Sequence, residues 1–394
     1  MHRIKTYNTI SAKGLDRFER EGYEVGQDIA HPDALLLRSH KLQESEILDS
    51  VTAIARAGAG VNNIPLASCS ERGIPVFNTP GANANAVKEL VAAAMLLASR
   101  DIVGGIAFAQ AQDPGMSAQD MNTLMEQEKK RFAGAELAGK TLGVVGLGSI
   151  GSLVARQGLD FGMEVVGFDP ALSVEAAWRL PSEVQRMENV QSLFSRSDFI
   201  SLHLPVLDST RGLVNEEMLA HFKKGSCLLN FAREEIVDTE AVVAALDNGQ
   251  LRCYVADFPN PLLLGRTDTL LMPHIGASTA EAEENCAIMA ANQLKAFLQH
   301  GNIRNSVNFP AIELERTTDY RITIANRNEP GMLSHILTLV GDAGLNVADL
   351  LNKSVGDIAY NIIDLDGVPQ EELLNKIRTL EGVINLRLIE GAPV

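Results

Sequence analysis

Lys140-Thr141-Leu142-Gly143-Val144-Val145-Gly146-Leu147-Gly148-Ser149-Ile150-Gly151 runs from an apolar strand through a glycine-rich turn into an apolar-patterned helix. A second strand, Val165-Val166-Gly167-Phe168, closes on Asp169. In such a βαβ unit the first glycine permits the tight turn, the second lets backbone approach a pyrophosphate, and the third lets the helix pack closely on the sheet. The phosphate charge then rests on the amides of the helix N-terminus, those of Ser149 and Ile150 among them. Asp169 follows Gly151 by about 18 residues, near the spacing at which an acid takes both ribose hydroxyls. A carboxylate there repels a 2′-phosphate, so NAD is expected over NADP. The bare glycine motif also fits a turn in some other βαβ unit; the acid at the right distance favours the dinucleotide.

Around this unit, 394 residues are enough for two or three domains. The 46% hydrophobic and 21% charged composition is that of a globular chain, and a net charge of -16 argues against nucleic-acid or membrane partners. An anionic ligand must therefore be held by a local cationic cluster. Cys69, Cys227, Cys253 and Cys286 lack C-x-x-C or zinc-type spacing, which reads as reduced thiols in a cytoplasmic protein, packed as small core residues, with no metal site. No apolar h-region opens the chain, and the apolar run at 90–98 is about half a membrane span, so it is expected to be a buried helix.

Short apolar strands at 34–37, 54–57 and 75–77 alternate with helical or polar connectors, the mark of a parallel sheet. Turns after two of them, at 56–60 and 78–81, lie where open α/β sheets gather ligands. A helix at 89–100 leads to a polar connector at 110–130. Strands at 199–203, 226–230, 254–257 and 270–272 bring the nucleotide sheet to an expected six parallel strands. A helix at 285–300 and an aperiodic linker precede a βαββαβ pattern, with strands at 321–325, 347–354, 359–364 and 383–389 and helices at 331–343 and 370–379. That order predicts a ferredoxin-like module. Its one histidine, His335, sits in an apolar helical pattern and reads as a packing residue.

A nicotinamide cofactor implies hydride transfer to or from a carbon bearing oxygen, which calls for a proton carrier and a cation. His274, in Pro273-His274-Ile275-Gly276, directly follows a strand, and imidazole titrates near neutrality. Arg233 follows another, and its planar fork suits a carboxylate. Each alone fits a structural role equally well; together on one cofactor sheet they favour function.

From residue 34 onward the chain resembles the D-2-hydroxyacid dehydrogenase family, in the short phosphoglycerate-dehydrogenase branch with one C-terminal ACT domain. The resemblance is carried in family order by Leu37-Arg38-Ser39, Arg56-Ala57-Gly58-Ala59-Gly60-Val61-Asn62-Asn63, the glycine turn with Asp169, Ser201-Leu202-His203-Leu204-Pro205, Asn230 to Arg233, and Pro273 to Thr279. It implies a flavodoxin-like substrate domain (1–92 and 274–305), a Rossmann-type NAD domain (93–273), a linker (306–317) and an ACT domain (318–394), with the active site in the cleft. It implies that Arg233 holds the substrate carboxylate and C2 oxygen, that His274 is the acid/base, and that Gly58, Ala59 and Gly60 offer backbone donors. It also implies that Arg38 and Ser39 take a substrate phosphate. His203, Pro205, Phe231, Ala232, Asp257 and Gly276 join the glycine turn around NAD. Lys129, Lys130 and Arg131 fall near the family's dimer-arm segment, either reaching a phosphate across a subunit boundary or forming a solvated charge run. A homodimer or homotetramer is implied.

One family feature is missing. Most members carry Asp-Val-Phe-x-x-Glu-Pro, whose glutamate pairs with the catalytic histidine; here the segment is Ala256-Asp257-Phe258-Pro259-Asn260-Pro261. Glu234-Glu235 replaces the usual Gly-Gly after Arg233; the pair reads first as solvated surface acids, the alternative being that one of them, Glu235 before Glu234, supplies the carboxylate. In the tail, Asn326, Asn328 and Asn346 occupy positions that bind serine in serine-inhibited relatives, with Asn326 in place of a histidine; a purely dimerising module is the other reading. The implied activity is NAD-dependent oxidation of 3-phospho-D-glycerate, opening serine synthesis. Its rivals are a hydroxypyruvate or glyoxylate reductase and a non-catalytic NAD-binding amino-acid sensor.

Overall fold

Leu35, Leu36 and Leu37 have no exposed surface on either face of their strand. A run buried on both sides belongs to a parallel sheet covered by helices, and the computed structural model, which describes residues 1–391, puts it in one. The strands are β1 (His2–Thr6), β2 (Tyr23–Gly26), β3 (Ala34–Leu37), β4 (Ala53–Arg56) and β5 (Val76–Phe77), in the order β2-β1-β3-β4-β5, all parallel. This is the flavodoxin-like order. The sequence reading starts at β3 because β1 buries only Ile4 and Thr6 among charged neighbours, too weak a pattern to stand out.

The helix Ala280–His300 starts earlier than expected and covers this sheet. Cys286, Ala290, Leu294 and Leu298 recur every fourth residue, and this stripe packs on Ile4, Ala34, Leu36 and Ala55.

The glycine motif lies between β6 (Thr141–Val145) and β7 (Glu164–Phe168). With β8 (Gln185–Arg186), β9 (Phe199–Leu202), β10 (Ser226–Asn230), β11 (Leu251–Ala256) and β12 (Thr269–Leu271) they form seven parallel strands, not six, in the order β12-β11-β10-β9-β6-β7-β8. The unexpected β8 is two exposed residues long and has no apolar run to announce it. The order is that of the Rossmann fold with one strand added. Helix Ala84–Ser99 belongs here, since Val87, Val91, Ala94 and Met95 pack among Leu142, Val144 and Val255. The polar connector contains a helix, Ala118–Glu128, started by Ser117, whose hydroxyl accepts from the Asp120 N–H.

The tail is an antiparallel sheet of β13 (Tyr320–Arg327), β14 (Val347–Val355), β15 (Ile358–Leu365) and β16 (Val383–Glu390), ordered β14-β15-β13-β16, with helices Met332–Asp342 and Glu371–Arg378 in the expected βαββαβ sequence. Residues 392–394 of the expected 318–394 domain lie outside the described residues. His335 is exposed on its helix, correcting the packing role read from its apolar neighbours: Met332, Ile336 and Val340 form the buried stripe without it.

Segment 306–317 has no helix or named strand yet is packed, with Phe309 and Ile312 buried. Arg321 explains how. Wholly buried, it pairs with Asp364 directly across β13 and β15 at 2.5 and 2.8 Å, and donates to the carbonyls of His300, Leu314 and Glu315. One guanidinium thus joins the end of the long helix, the segment and the tail sheet. A buried ion pair of this kind is costly to break, by about 3–5 kcal/mol when one partner is removed.

The chain divides into two compact units: Met1–Asn83 with Ala280–Val394, and Ala84–Thr279. Among the described residues no single helix is long and apolar enough to cross a membrane.

Candidate active site

Gly146 has φ +90°, and a Cβ there would lie 2.5 Å from the His203 carbonyl oxygen, so only glycine makes this turn. A Cβ on Gly151 would collide with the Gly146 oxygen at 1.9 Å, the close approach the motif requires. At Gly148 a Cβ would meet nothing within 4 Å, so space is open above the turn. Gly148 caps helix Ser149–Asp160 without a side-chain bond, and among the described residues no side chain accepts from its first N–H groups. At the end of β7, Asp169 accepts from the Leu147 N–H at 2.8 Å and the Ala171 N–H at 2.9 Å. It borders a cavity of about 700 Å³ with Leu147, Trp178 and Arg186.

The His203 Nε2 shares a hydrogen bond with Ser201 Oγ at 2.8 Å, while its buried Nδ1 has no partner among the described residues. Burial lowers its pKa to about 3, so the ring is neutral. The open cradle, the uncapped helix start, the fixed carboxylate and the orphaned ring nitrogen beside the turn all fit a dinucleotide.

The remaining sequence-read residues of this unit gather on the same sheet edge. His203 and Pro205 follow β9, Phe231, Ala232 and Arg233 follow β10, Asp257 follows β11, and His274 and Gly276 follow β12. Parallel strands bring all these ends to one side.

His274 is exposed, with a left-handed backbone at φ +56°. Such a conformation is uncommon outside glycine and needs surrounding support. Asp257 supplies it. Nearly fully buried, its carboxylate accepts from the Ile275 N–H at 2.8 Å and the Gly276 N–H at 2.7 Å, fastening the turn that carries the imidazole. The Phe258 ring lies 5.0 Å from that of His274, tilted by 57°.

No carboxylate among the described residues lies within ion-pair distance of His274. The candidate Glu235 makes no ion pair with it: it sits in the turn Glu234–Ile236, where its side chain is exposed and its carbonyl accepts from the Gly212 N–H. Glu234 instead accepts from Asn260 Nδ2 at 3.2 Å. Arg233 also lacks a carboxylate partner among the described residues; its Nη1 donates only to the Ala232 carbonyl, and Asn230 Nδ2 holds its own carbonyl at 2.9 Å.

In the other unit, Arg38 and Ser39 follow β3, and Gly58, Ala59 and Gly60 follow β4. Asn8 fixes the first turn by accepting from the Ser39 and His40 N–H groups at 3.0 and 2.7 Å. Asn78 and Thr79 brace the second, donating to the Ala59 and Gly58 carbonyls. Two contacts of Arg38 are not legible in the sequence. Arg56 Nε donates to the Arg38 carbonyl at 3.0 Å, and Glu283 Oε1 accepts from Arg38 Nη2 at 2.6 Å.

Lys129 and Arg131 are paired with Glu126 and Glu128 on their own arm, and Arg131 also lies over the Phe108 and Phe132 rings. Of the tail residues, Asn326 faces inward: it donates to the Arg327 carbonyl at 2.6 Å and accepts from Asn361 at 2.7 Å, which removes it from the surface an effector would meet. Asn328 and Asn346 are exposed, donating to the Gly356 carbonyl and to Asp366.

The family model for the NAD binding domain of D-isomer specific 2-hydroxyacid dehydrogenases matches residues 93–276. A 404-residue alignment with D-3-phosphoglycerate dehydrogenase of Haemophilus influenzae is 30% identical and covers 98% of this chain and 94% of that one. Hydroxypyruvate reductase of Thermotoga maritima is 37% identical across 67% of this chain and 84% of its own length. Among solved structures, the NAD+-bound 3-phosphoglycerate dehydrogenase of Entamoeba histolytica superposes with a TM-score of 0.60 at 25% identity, over 79% of this chain and 99% of that one.

Proposed function

Because the chain belongs to the D-isomer specific 2-hydroxyacid dehydrogenase family, we propose that it oxidises 3-phospho-D-glycerate to 3-phosphohydroxypyruvate with NAD, the first step of the phosphorylated route to L-serine. NAD, when bound, accepts the hydride from C2. Gly146, Gly148 and the amides of Ser149, Ile150 and Gly151 hold its pyrophosphate, and Asp169 its ribose. His274 takes the C2 hydroxyl proton and returns it in the reverse direction. Arg233 holds the carboxylate in its fork. Asp257 acts through the backbone, keeping His274 aimed. Arg38 and Ser39 receive the phosphate, and the turn Gly58 to Gly60 offers amides.

The observation that carries this reading is the pairing of an unpartnered Arg233 with a His274 held in a left-handed turn, both on the cofactor edge of one sheet. Following NADH absorbance with 3-phosphohydroxypyruvate tests it: rapid oxidation is expected, and turnover of unphosphorylated hydroxypyruvate alone would replace it with the reductase reading. That second reading draws support from the Arg38–Glu283 pair, which offsets the one cation assigned to phosphate. The amino-acid-sensing rival predicts NAD binding without turnover of any 2-oxoacid.

The enzyme works as a homo-oligomer in the cytoplasm. Helix Ile102–Gln110 has no buried residue and exposes Val103 and Ile106, and the nine-residue edge strand β14 is largely exposed, both suited to a second copy. Four free cysteines suit a reducing compartment. The tail serves as an ACT-type sensor in which Asn328 and Asn346, not Asn326, meet serine.

A further inference from the structure

We propose that Glu283 determines specificity by occupying the place of the substrate phosphate on Arg38, so that a phosphorylated substrate binds only by displacing it. The proposal rests on the reading of Arg38 as the phosphate-holding residue. Glu283 lies in the first turn of helix Ala280–His300, where the aligned backbone dipoles favour a negative side chain. Its carboxylate oxygen is 2.6 Å from Arg38 Nη2, and both side chains are about two-fifths exposed, at 43% and 40%. An exposed pair is weak and exchangeable. It fills the guanidinium in the free protein and yields to a better anion.

The surroundings define that anion. Arg38 is fixed by its backbone: Arg56 Nε and Asn63 Nδ2 both donate to its carbonyl, at 3.0 and 3.3 Å. The Ser39 hydroxyl has no hydrogen-bond partner among the described residues, so it remains a donor for a ligand. Burial raises the pKa of Cys286, one turn beyond Glu283, while a hydrogen bond with Thr79 and the charges of Arg56 and Arg38 lower it and Glu283 raises it. A phosphate monoester carries about −1.5 to −2 at neutral pH, so it meets both the guanidinium it needs and a carboxylate that repels it. A neutral hydroxymethyl group meets no such conflict. Glu283 therefore narrows the gap between phosphorylated and unphosphorylated substrates, and makes the first of them salt-sensitive.

Glu283→Gln keeps the shape and a hydrogen-bond acceptor while removing the charge. KM for 3-phosphohydroxypyruvate is expected to fall about 3- to 10-fold, the change falling on KM and not on kcat, with little movement for hydroxypyruvate. Inorganic phosphate, measured by calorimetry on the NAD-saturated protein, should tighten by a similar factor. In an Arg38→Ala background the same substitution should have no such effect. An unchanged or raised KM for the phosphorylated substrate, with no gain in phosphate affinity, overturns the proposal and leaves Glu283 as a support that orients Arg38. If the wild type fails to use 3-phosphohydroxypyruvate, the function assigned above falls by itself. Phosphate calorimetry still decides the role of Glu283, and equal or absent binding in wild type and variant rejects it.

Discussion

Arg233 and Arg38 are both assigned to substrate anions, yet the protein treats them differently. Arg233 follows β10 and makes no ion pair among the described residues, on the edge where Asp257 has already locked the His274 turn. Arg38 follows β3 and is met by Glu283. The contrast separates what is common to all 2-hydroxy acids from what distinguishes one. Every such substrate has the C1 carboxylate and C2 oxygen, so in the proposed assignment that cation stands ready; the far end of the substrate differs, and there the proposed phosphate cation is held in check.

Substitutions can break this contrast. The largest effect is expected at His274: His274→Ala should lower kcat by about 10²- to 10⁴-fold for phosphorylated and unphosphorylated substrates alike, with NAD binding by fluorescence titration retained. Arg233→Lys comes next. A point charge cannot reproduce a planar fork, so kcat/KM should drop about 10- to 100-fold for both substrates in steady-state assays. If only the phosphorylated one suffers, the roles of the two arginines are wrongly assigned. Arg38→Ala should raise KM about 10-fold for 3-phosphohydroxypyruvate and leave hydroxypyruvate near its wild-type value.

The smallest effect concerns stability. His203 is neutral in the folded protein, with its pKa lowered from 6.5 to about 3 by burial. Its contribution is present above pH ~6.5 and is lost as pH falls toward 3, because the unfolded chain takes up a proton that the folded one refuses. The resulting slope is up to ~1.4 kcal/mol per pH unit, and His203→Asn should flatten it in thermal unfolding followed across that range.

The nucleotide unit was legible because its chemistry is local. A glycine turn and the acid closing the next strand lie within one βαβ unit, and the periodicity around them is strong. The βαββαβ order of the tail came through for the same reason, each element carrying its own apolar pattern. What escaped depends on residues far apart in the chain. Arg38 and Glu283 are separated by 245 positions, and nothing in the acidic run Glu281, Glu283, Glu284 says which arginine it meets. Glu235 stood close to Arg233 in sequence, which made it the natural substitute for a missing family glutamate; the turn at Glu234–Ile236 carries its side chain into solvent instead. Segment 306–317 resembled a linker because it lacks periodicity, whereas its packing comes from isolated residues, Phe309 and Ile312, and from carbonyls bonded to Arg321. Aperiodic sequence and loose structure are different things.

The pairing of a ready carboxylate cation with a checked phosphate cation is tested most directly by one ratio: kcat/KM for 3-phosphohydroxypyruvate over that for hydroxypyruvate, in the wild type and in Arg38→Ala. A ratio above one that falls about 10-fold in the variant, through the phosphorylated substrate alone, is the predicted result. A ratio that Arg38→Ala leaves unchanged would contradict the account.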